Sequence, residues 1–400
     1  MKMIKKYVRV AAMILVFAMV ASVLCSCGST PVAKFTAENG KTYTATKSEL
    51  DFMMVYTKQN LFTGNLWFSA YDTSSLWTST YANDLTYDEY FTASVFSQIK
   101  SILVEKYLFE KFGLSLDKDT VASIKKEVDT AKLNAGGAGA YKQYYGYTAS
   151  QLLDYRLTAE KYNAILDYLY GENGTDKVTD EEKETYFNDN YVSYQFIYLD
   201  MNKKVKVDED GNKVRKTTTD SNGNVTVTDE YETEDLTEEE AEEKDLLAAK
   251  IIQRLDAGEA FEDLAAEFSD DYTSVKYPKG IFTLSSGTLF NDTAANEAVA
   301  ALDVGQYTQP LSMGDGEMTY IVKRVTPVEK AYATDEYADM FSTYDDTVKY
   351  DKYDKFINTF FDSVTIDESI IPDYSMANTF LSDYVDYYYQ MYYQYYQSSN

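Results

Sequence analysis

The helix punctuation of this chain constrains its fold more than any other feature. Thr148-Ala-Ser-Gln151 and Thr179-Asp-Glu-Glu182 share a Thr-x-x-Gln/Glu spacing. At that spacing the threonine hydroxyl accepts the N–H three residues on, and the Gln or Glu side chain accepts the threonine N–H. Each tetrad therefore predicts a helix start. The first opens a run bearing Leu152, Leu153, Ile165, Leu166 and Leu169, closed by Gly171. The second precedes Tyr186 and Phe187. Thr237-Glu-Glu-Glu240 opens an acidic helix with Leu246, Leu247, Ile251 and Leu255, closed by Gly258. Upstream, Phe91, Val95, Ile99, Ile102, Lys106 and Phe109 keep helical spacing, and Gly113 supplies a stop. Thr46 or Ser48 can cap a further helix, and Ala135-Gly-Gly-Ala-Gly139 reads as a flexible joint. Residues 46–190 thus read as a helical module with almost no strand pattern.

Strand signals flank that module. Lys34 to Tyr43 reads as a small hairpin around Asn39-Gly40, and Ser193 to Leu199 as a strand. Asp210-Gly211 and Asn222-Gly223 each sit between β-prone runs, over 205–214 and 217–228, which predicts a two-hairpin meander. Asp208-Glu-Asp-Gly211 suggests the start of a calcium loop. Its glycine comes two positions early and no distal glutamate follows in register, so a hairpin turn fits better. After Pro327, Ala331 to Phe361 keeps helical spacing through Phe341, Tyr344, Val348, Phe356 and Phe360. The tail repeats that spacing with Phe380, Tyr384, Tyr388, Met391, Tyr392 and Tyr395. It is either a packed helix or an aromatic surface for unfolded chains. The fold class that follows is α+β.

The N-terminus points to a compartment. Lys2, Lys5, Lys6 and Arg9 precede an uncharged apolar run from Ala11 to Leu24, short for a bilayer span. The run ends in Leu24-Cys25-Ser26-Cys27-Gly28, which looks like a bacterial lipobox with Cys27 as the acylated residue. The expectation is a signal peptide over 1–26 and a lipid anchor on the extracytoplasmic face of a bacterial membrane. Acylated Cys27 would leave the mature chain without a disulfide.

Sixty-five acidic residues against 37 basic ones argue against nucleic acid as a partner. The chain contains no histidine. That excludes Ser-His-Asp and Cys-His catalysis and ordinary zinc sites. No glycine-rich phosphate loop is present, and neither a metal nor a cofactor is expected.

Five pieces then recur in a familiar order. Ala257-Gly-Glu-Ala-Phe261 leads into Leu264-Ala-Ala-Glu-Phe-Ser-Asp-Asp271, then Gly280-Ile-Phe282. Ala298-Val-Ala-Ala-Leu302 with Gly305-Gln-Tyr-Thr-Gln-Pro310 follows, and Met318-Thr-Tyr-Ile-Val322 closes the series. This order resembles parvulin-type peptidyl-prolyl isomerases. The likeness covers residues 191–328, with the meander as an insertion at 203–235. The hairpin and helices before it resemble the chaperone module of PrsA/SurA-type foldases.

The resemblance implies a domain plan and a site. A tether and hairpin (27–45) and the helical module (46–190) precede the parvulin-like domain. A C-terminal helix (329–375) returns to the helical module, and a Tyr-rich tail (376–400) follows. Asp271 matches the family's active-site Asp or Cys, or else it is a turn cap. The two family histidine positions read Gln195 and Tyr320. Phe282 and Leu289 match the proline cup, or else they are core. Lys279 replaces an apolar residue at the cup rim, where its stem can pack and its head reach water. The implied function is a membrane-anchored folding factor acting on unfolded or newly secreted polypeptides, with a histidine-free isomerase site. The alternatives are a non-catalytic chaperone lipoprotein and, third, a solute-binding lipoprotein, which requires two α/β lobes.

Overall fold

The computed structural model describes residues 30–64, 72–82, 84–221, 223–385, 387–388 and 391. The signal peptide, Cys27, Asn222, Tyr392 and Tyr395 lie outside the described residues. The chain divides into two compact units, Val178–Val348 and the remainder on either side of it.

In the remainder, Pro31–Thr36 pairs antiparallel with Thr42–Thr46 on one edge and with Val364–Ile366 on the other. Gly40, at φ 81°, turns the hairpin. Helices Lys47–Gly64, Tyr87–Lys111, Lys118–Asn134, Ala138–Tyr145 and Ala149–Tyr170 follow. The central one, Tyr87–Lys111, buries Val95, Ile99, Leu103, Val104 and Leu108 almost completely. Its start is a capping box, Thr86 with Glu89: Thr86 N–H donates to Glu89 Oε2 at 3.0 Å and Glu89 N–H to Thr86 Oγ1 at 3.2 Å. Thr148 and Gln151 form the same pair at 2.8 and 3.2 Å.

The segment after residue 374 is built into this unit by buried polar contacts. Met376 N–H donates to Thr92 Oγ1 at 3.1 Å and Ala377 N–H to Asp88 Oδ1 at 3.0 Å. Lys58, only 1 % exposed, pairs with Asp72 at 3.2 Å and donates to the Thr379 carbonyl at 2.9 Å. A buried ammonium needs such partners.

The second unit is built on a four-stranded antiparallel sheet. Its order is Ile281–Leu284, Tyr191–Asp200 (the opening strand), Met318–Val325 (the closing strand), Leu311–Met313. Helices Glu238–Asp256 and Phe261–Phe268 cover one face with Ile251, Leu255, Phe261 and Leu264 against Ile197, Leu199 and Ile321. Tyr194, Val299 and Val322 make the core of the other face. The insertion closes on itself, since Lys203–Val205 pairs with Thr233–Asp235. Within it, Val207 bridges Lys213 around Gly211, and Arg215–Thr219 pairs with Val225–Tyr231. Asp208 spends its carboxylate on the turn, accepting the N–H groups of Asp210 and Asn212 at 3.0 and 2.8 Å.

Three expectations change. Helix Asp180–Asn190 belongs with the second unit, because Phe187 packs with Tyr277, Phe282, Tyr337, Phe341, Tyr344 and Val348. Those last four residues also keep 329–348 out of the first unit. The long helix expected from Ala331 does not form. Thr334 takes an extended conformation between two 3₁₀ turns, and a regular helix spans only Tyr344–Asn358. The aromatic spacing there is satisfied by short turns that bury Ala331 and Tyr337 fully. Every recorded strand pair is antiparallel, so the two α/β lobes that a solute-binding protein requires do not occur among the described residues. No described helix is long and apolar enough to cross a membrane.

Candidate functional site

The pairing of the opening and closing strands decides which side chains can meet. Tyr320 lies opposite Tyr198, and Lys323 opposite Gln195. Successive side chains in a strand point to opposite faces, so residues an odd number apart never share one. Tyr198, Phe196 and Tyr194 therefore share the face of Tyr320, whereas Gln195 shares the helix-covered face with Ile197 and Leu199. Gln195 Nε2 donates to the Pro278 carbonyl at 2.5 Å, and its buried Oε1 has no partner among the described residues. The structure thus does not bring Gln195 together with Tyr320. One residue on, Phe196 stands on the Tyr320 face, with ring centroids 6.2 Å apart.

Around Tyr320 the face is built of rings. Tyr198 and Phe290 each lie 4.9 Å from it, and Leu289 and Leu311 pack on the same cluster. Asn296 sets the Leu289–Phe290 turn by accepting both N–H groups, at 3.1 and 3.0 Å, and donating to the Phe290 carbonyl at 2.7 Å. Of the two expected cup residues, Leu289 is here and Phe282 is not. Phe282 pairs with Ser193 on the other face and sits 5.1–5.4 Å from Tyr337, Phe341 and Phe187. It is core.

Lys279 is also elsewhere. It lies two residues before Ile281, which pairs with Tyr194, four positions along the strand from Tyr198. Its exposed ammonium pairs with Glu336 at 3.5 Å. It rims no cup.

Asp271 is half-buried beside Tyr198. Its Oδ1 accepts the Thr273 N–H at 2.7 Å and so holds the start of the short Thr273–Lys276 helix. Its charge still reaches the rings. Burial, followed by Asp271, raises the Tyr320 phenol above its ordinary range. Burial pushes Tyr198 up to about 12, with Asp200, Tyr320, Asp270 and Asp271 adding to it. Both phenols are therefore neutral O–H donors at physiological pH.

The neighbouring Asp270 carries more structure than Asp271. It accepts the Asp200 N–H at 2.9 Å, pairs with buried Lys244 at 2.7 Å, and donates its own N–H to the Tyr198 carbonyl at 2.7 Å. Burial outweighs Lys244 and holds its carboxyl above the usual range. Nothing in the sequence separates Asp270 from Asp271, because both follow Ser269 in one acidic turn.

Beside Tyr198 opens a cleft of about 700 Å³. Asp200, Asp271 and Tyr272 border it on the body, and Lys216, Glu230 and Tyr231 on the insertion. The insertion is fastened there by Arg215, whose guanidinium stacks 4.0 Å from the Tyr272 ring, and by Lys213, which donates to the carbonyls of Ala266 and Ser269 at 3.0 and 2.9 Å. No group of acidic or cysteine residues able to hold a metal occurs among the described residues.

Residues 228–323 match the family described as Rotamase, PPIC-type PPIASE domain. The chain carries a parvulin-type rotamase domain. The match begins inside the insertion, so the parvulin opening strand at 191–200 is cut off from the rest in sequence, although it pairs with the closing strand in space. A search of curated proteins found no match. Among solved structures, the foldase PrsA of Streptococcus pneumoniae is 18 % identical over 68 % of this chain and 82 % of its own, at a TM-score of 0.22. PrsA of Bacillus subtilis is 20 % identical over 70 % and 88 %, also at 0.22. The Lactococcus lactis foldase PrsA is 15 % identical over 85 % and 96 %, at 0.23.

Sequence reasoning missed Phe196, Tyr198 and Phe290. The signal for Tyr198 and Phe196 was the period-two alternation of Tyr194, Phe196 and Tyr198, which marks one face of the opening strand.

Proposed function

We propose that this protein is a lipid-anchored folding factor on the extracytoplasmic face of a bacterial membrane. Its clients are unfolded or newly secreted polypeptides, and its parvulin-type domain turns X-Pro bonds at a site without histidine. The observation that carries the reading is the ring face around Tyr320, with two neutral phenols and a carboxylate at its edge.

Prolyl isomerisation breaks no covalent bond and moves no proton. The barrier is the loss of amide conjugation as the bond twists. A catalyst need only bind the twisted amide better than either planar form. Leu289, Phe290 and Phe196 offer an apolar seat for the proline ring. The Tyr198 and Tyr320 hydroxyls can donate to the amide as its charge relocates. Histidine is one way to supply that donor, and phenol is another.

The test is a protease-free exchange assay on an X-Pro peptide, with Tyr198→Phe and Tyr320→Phe beside the unaltered protein. Loss of a donor that acts only on the twisted amide should lower kcat more than it raises KM. A rate no greater than buffer from the folded protein would refute the enzymatic part. A specific observation favours the second reading, a non-catalytic chaperone. Three rings already crowd Tyr320, and they must part before proline can enter. On that reading the double Phe variant suppresses aggregation as well as the unaltered protein.

A further inference from the structure

The C-terminal segment is held in two different ways. From Ser375 to Thr379 it is fixed by directional, buried contacts to Asp88, Thr92 and Lys58. Met376 is fully buried. A further, longer polar contact joins Ser382 to Gln59 at 3.3 Å. From there on, side chains seat the segment. Tyr384 lies 5.1 Å from Tyr145 and 5.9 Å from Tyr144, and Tyr387 lies 6.4 Å from Tyr144. Phe380 covers the bare face of Gly146, where a Cβ would come within 2.8 Å of its ring.

What lies beneath is an aromatic face. Tyr145 is 4.4 Å from Tyr141 and 5.9 Å from Tyr147. Tyr144 and Tyr145 are half-buried with the segment in place. The occupant keeps much of its own apolar surface in water: Phe380 is 51 % exposed, Tyr387 49 % and Met391 51 %. Ring-on-ring contacts demand no fixed register and no partner sequence. They suit a segment that presents aromatic side chains on one helical face, as the seated residues at 383–385 and 387–388 do.

We infer that the tyrosine face at Tyr144 and Tyr145 is a binding surface for aromatic-rich helical segments of unfolded polypeptides, and that the chain's own Phe380, Tyr384 and Tyr387 occupy it as a tethered competitor. The inference rests on the folding-factor reading and names the client surface within it. The anchors at 375–379 act as the tether, so the competing segment stays at an effective concentration in the millimolar range. An incoming polypeptide binds only the fraction of molecules whose face is free. A face filled nine-tenths of the time lowers apparent affinity about tenfold. Burial of Val385, at 2 % exposed, opposes release and sets how often the face opens.

The test measures binding of a fluorescently labelled, reduced and carboxymethylated α-lactalbumin to three forms of the protein: the full chain, a chain ending at Ser382, and full-length Tyr384→Ser/Tyr387→Ser. Both variants keep the 375–379 anchors, and fluorescence of buried Trp77 reports that the unit remains folded. The expected result is binding about tenfold tighter in both variants, reversed by adding a synthetic peptide of residues 380–400. Equal affinity in all three forms overturns self-occupancy and leaves the folding-factor reading standing. Weaker binding by the variants also overturns it, because the segment is then itself the client-binding arm. Absence of binding by every form overturns the inference and the folding-factor reading together.

Discussion

Glu105 offers a quantitative test of the first unit's core. It sits mid-way along the central helix, 7 % exposed, and its described partner is the buried Tyr353 hydroxyl, which donates to Oε1 at 3.2 Å. Burial raises its carboxyl from 4.5 to about 7. Tyr353 opposes that shift, and Asp354 adds to it. The folded state therefore binds the proton more tightly than the unfolded chain does. Between pH 4.5 and 7 the folded protein keeps a proton that the unfolded chain has released, so stability falls as pH rises through that window. Above pH 7 the full penalty applies, about 3 kcal/mol at 1.4 kcal/mol per tenfold change in proton affinity. Glu105→Gln keeps the acceptor for Tyr353 and removes the charge. The variant should match the parent near pH 4.5 and exceed it by about 3 kcal/mol at pH 8. Urea unfolding followed by tryptophan fluorescence isolates this unit, because both tryptophans, Trp67 and Trp77, precede Lys177. A difference between variant and parent that stays constant from pH 4.5 to 8 would refute the reasoning.

Three further outcomes concern the parvulin-type unit, which has no tryptophan and is followed by tyrosine near-UV dichroism. Asp270→Ala leaves Lys244, only 9 % exposed at its side chain, with the Lys203 carbonyl but no counter-charge from Asp270, and should cost about 3 kcal/mol, the low end of the ~3–5 kcal/mol typical of a broken buried pair. A loss under about 1 kcal/mol in urea unfolding would contradict that, being the size of a surface pair. Asp271→Asn keeps an acceptor for the Thr273 N–H and should isomerise X-Pro peptides within about twofold of the parent, whereas Asp271→Ala should cost about 1 kcal/mol, the worth of one hydrogen bond. An Asn variant without activity would return Asp271 to the chemistry. Gly280→Ala combines φ +114° with a Cβ 2.7 Å from Ser193 Oγ and 3.1 Å from the Tyr194 carbonyl, whereas Gly305→Ala meets nothing within 4 Å at φ +91°. The first should lose about 2 kcal/mol more than the second, whose cost is the left-handed backbone alone, about 1–2 kcal/mol. Equal melting temperatures would refute that ranking.

Signals that act over one helical turn were legible in the sequence. The tetrads at Thr148, Thr179 and Thr237 all form reciprocal capping boxes. Gly113, at φ 64°, and Gly258, at φ 92°, end their helices in the left-handed conformation that few other residues adopt cheaply. The first hairpin turn of the insertion lies where Asp210-Gly211 puts it, and Gly223, at φ 84°, takes the left-handed conformation between the strands of the second. What escaped were choices made between distant segments. The spacing of Phe341 and Tyr344 fits a helix in the first unit as well as it fits turns packed on Phe187. Only the tertiary contacts select the second. Phe282 was readable as cup or core because both demand the same apolar side chain.

The site itself turned on strand register, the least local choice of all. A parvulin-like opening strand can be aligned on Gln195 or on Phe196 with little difference in composition, yet the two placements put opposite faces toward the closing strand. The backbone pairs Tyr320 with Tyr198, and this fixes Phe196 and Tyr198 as its neighbours. Gln195 is thereby turned away from Tyr320 and tied to the Pro278 turn. The absence of histidine then takes a different meaning. A polar Gln facing Tyr320 would have been a weakened copy of a histidine pair. A ring beside each hydroxyl instead lowers the polarity around the phenols, keeps them protonated, and strengthens any hydrogen bond they give to a twisting amide. The same rings fill the face until a substrate displaces them. On the proposed reading, donor strength and access are therefore set against each other by the same side chains, and any isomerase rate would depend on how readily Phe196 and Phe290 move apart.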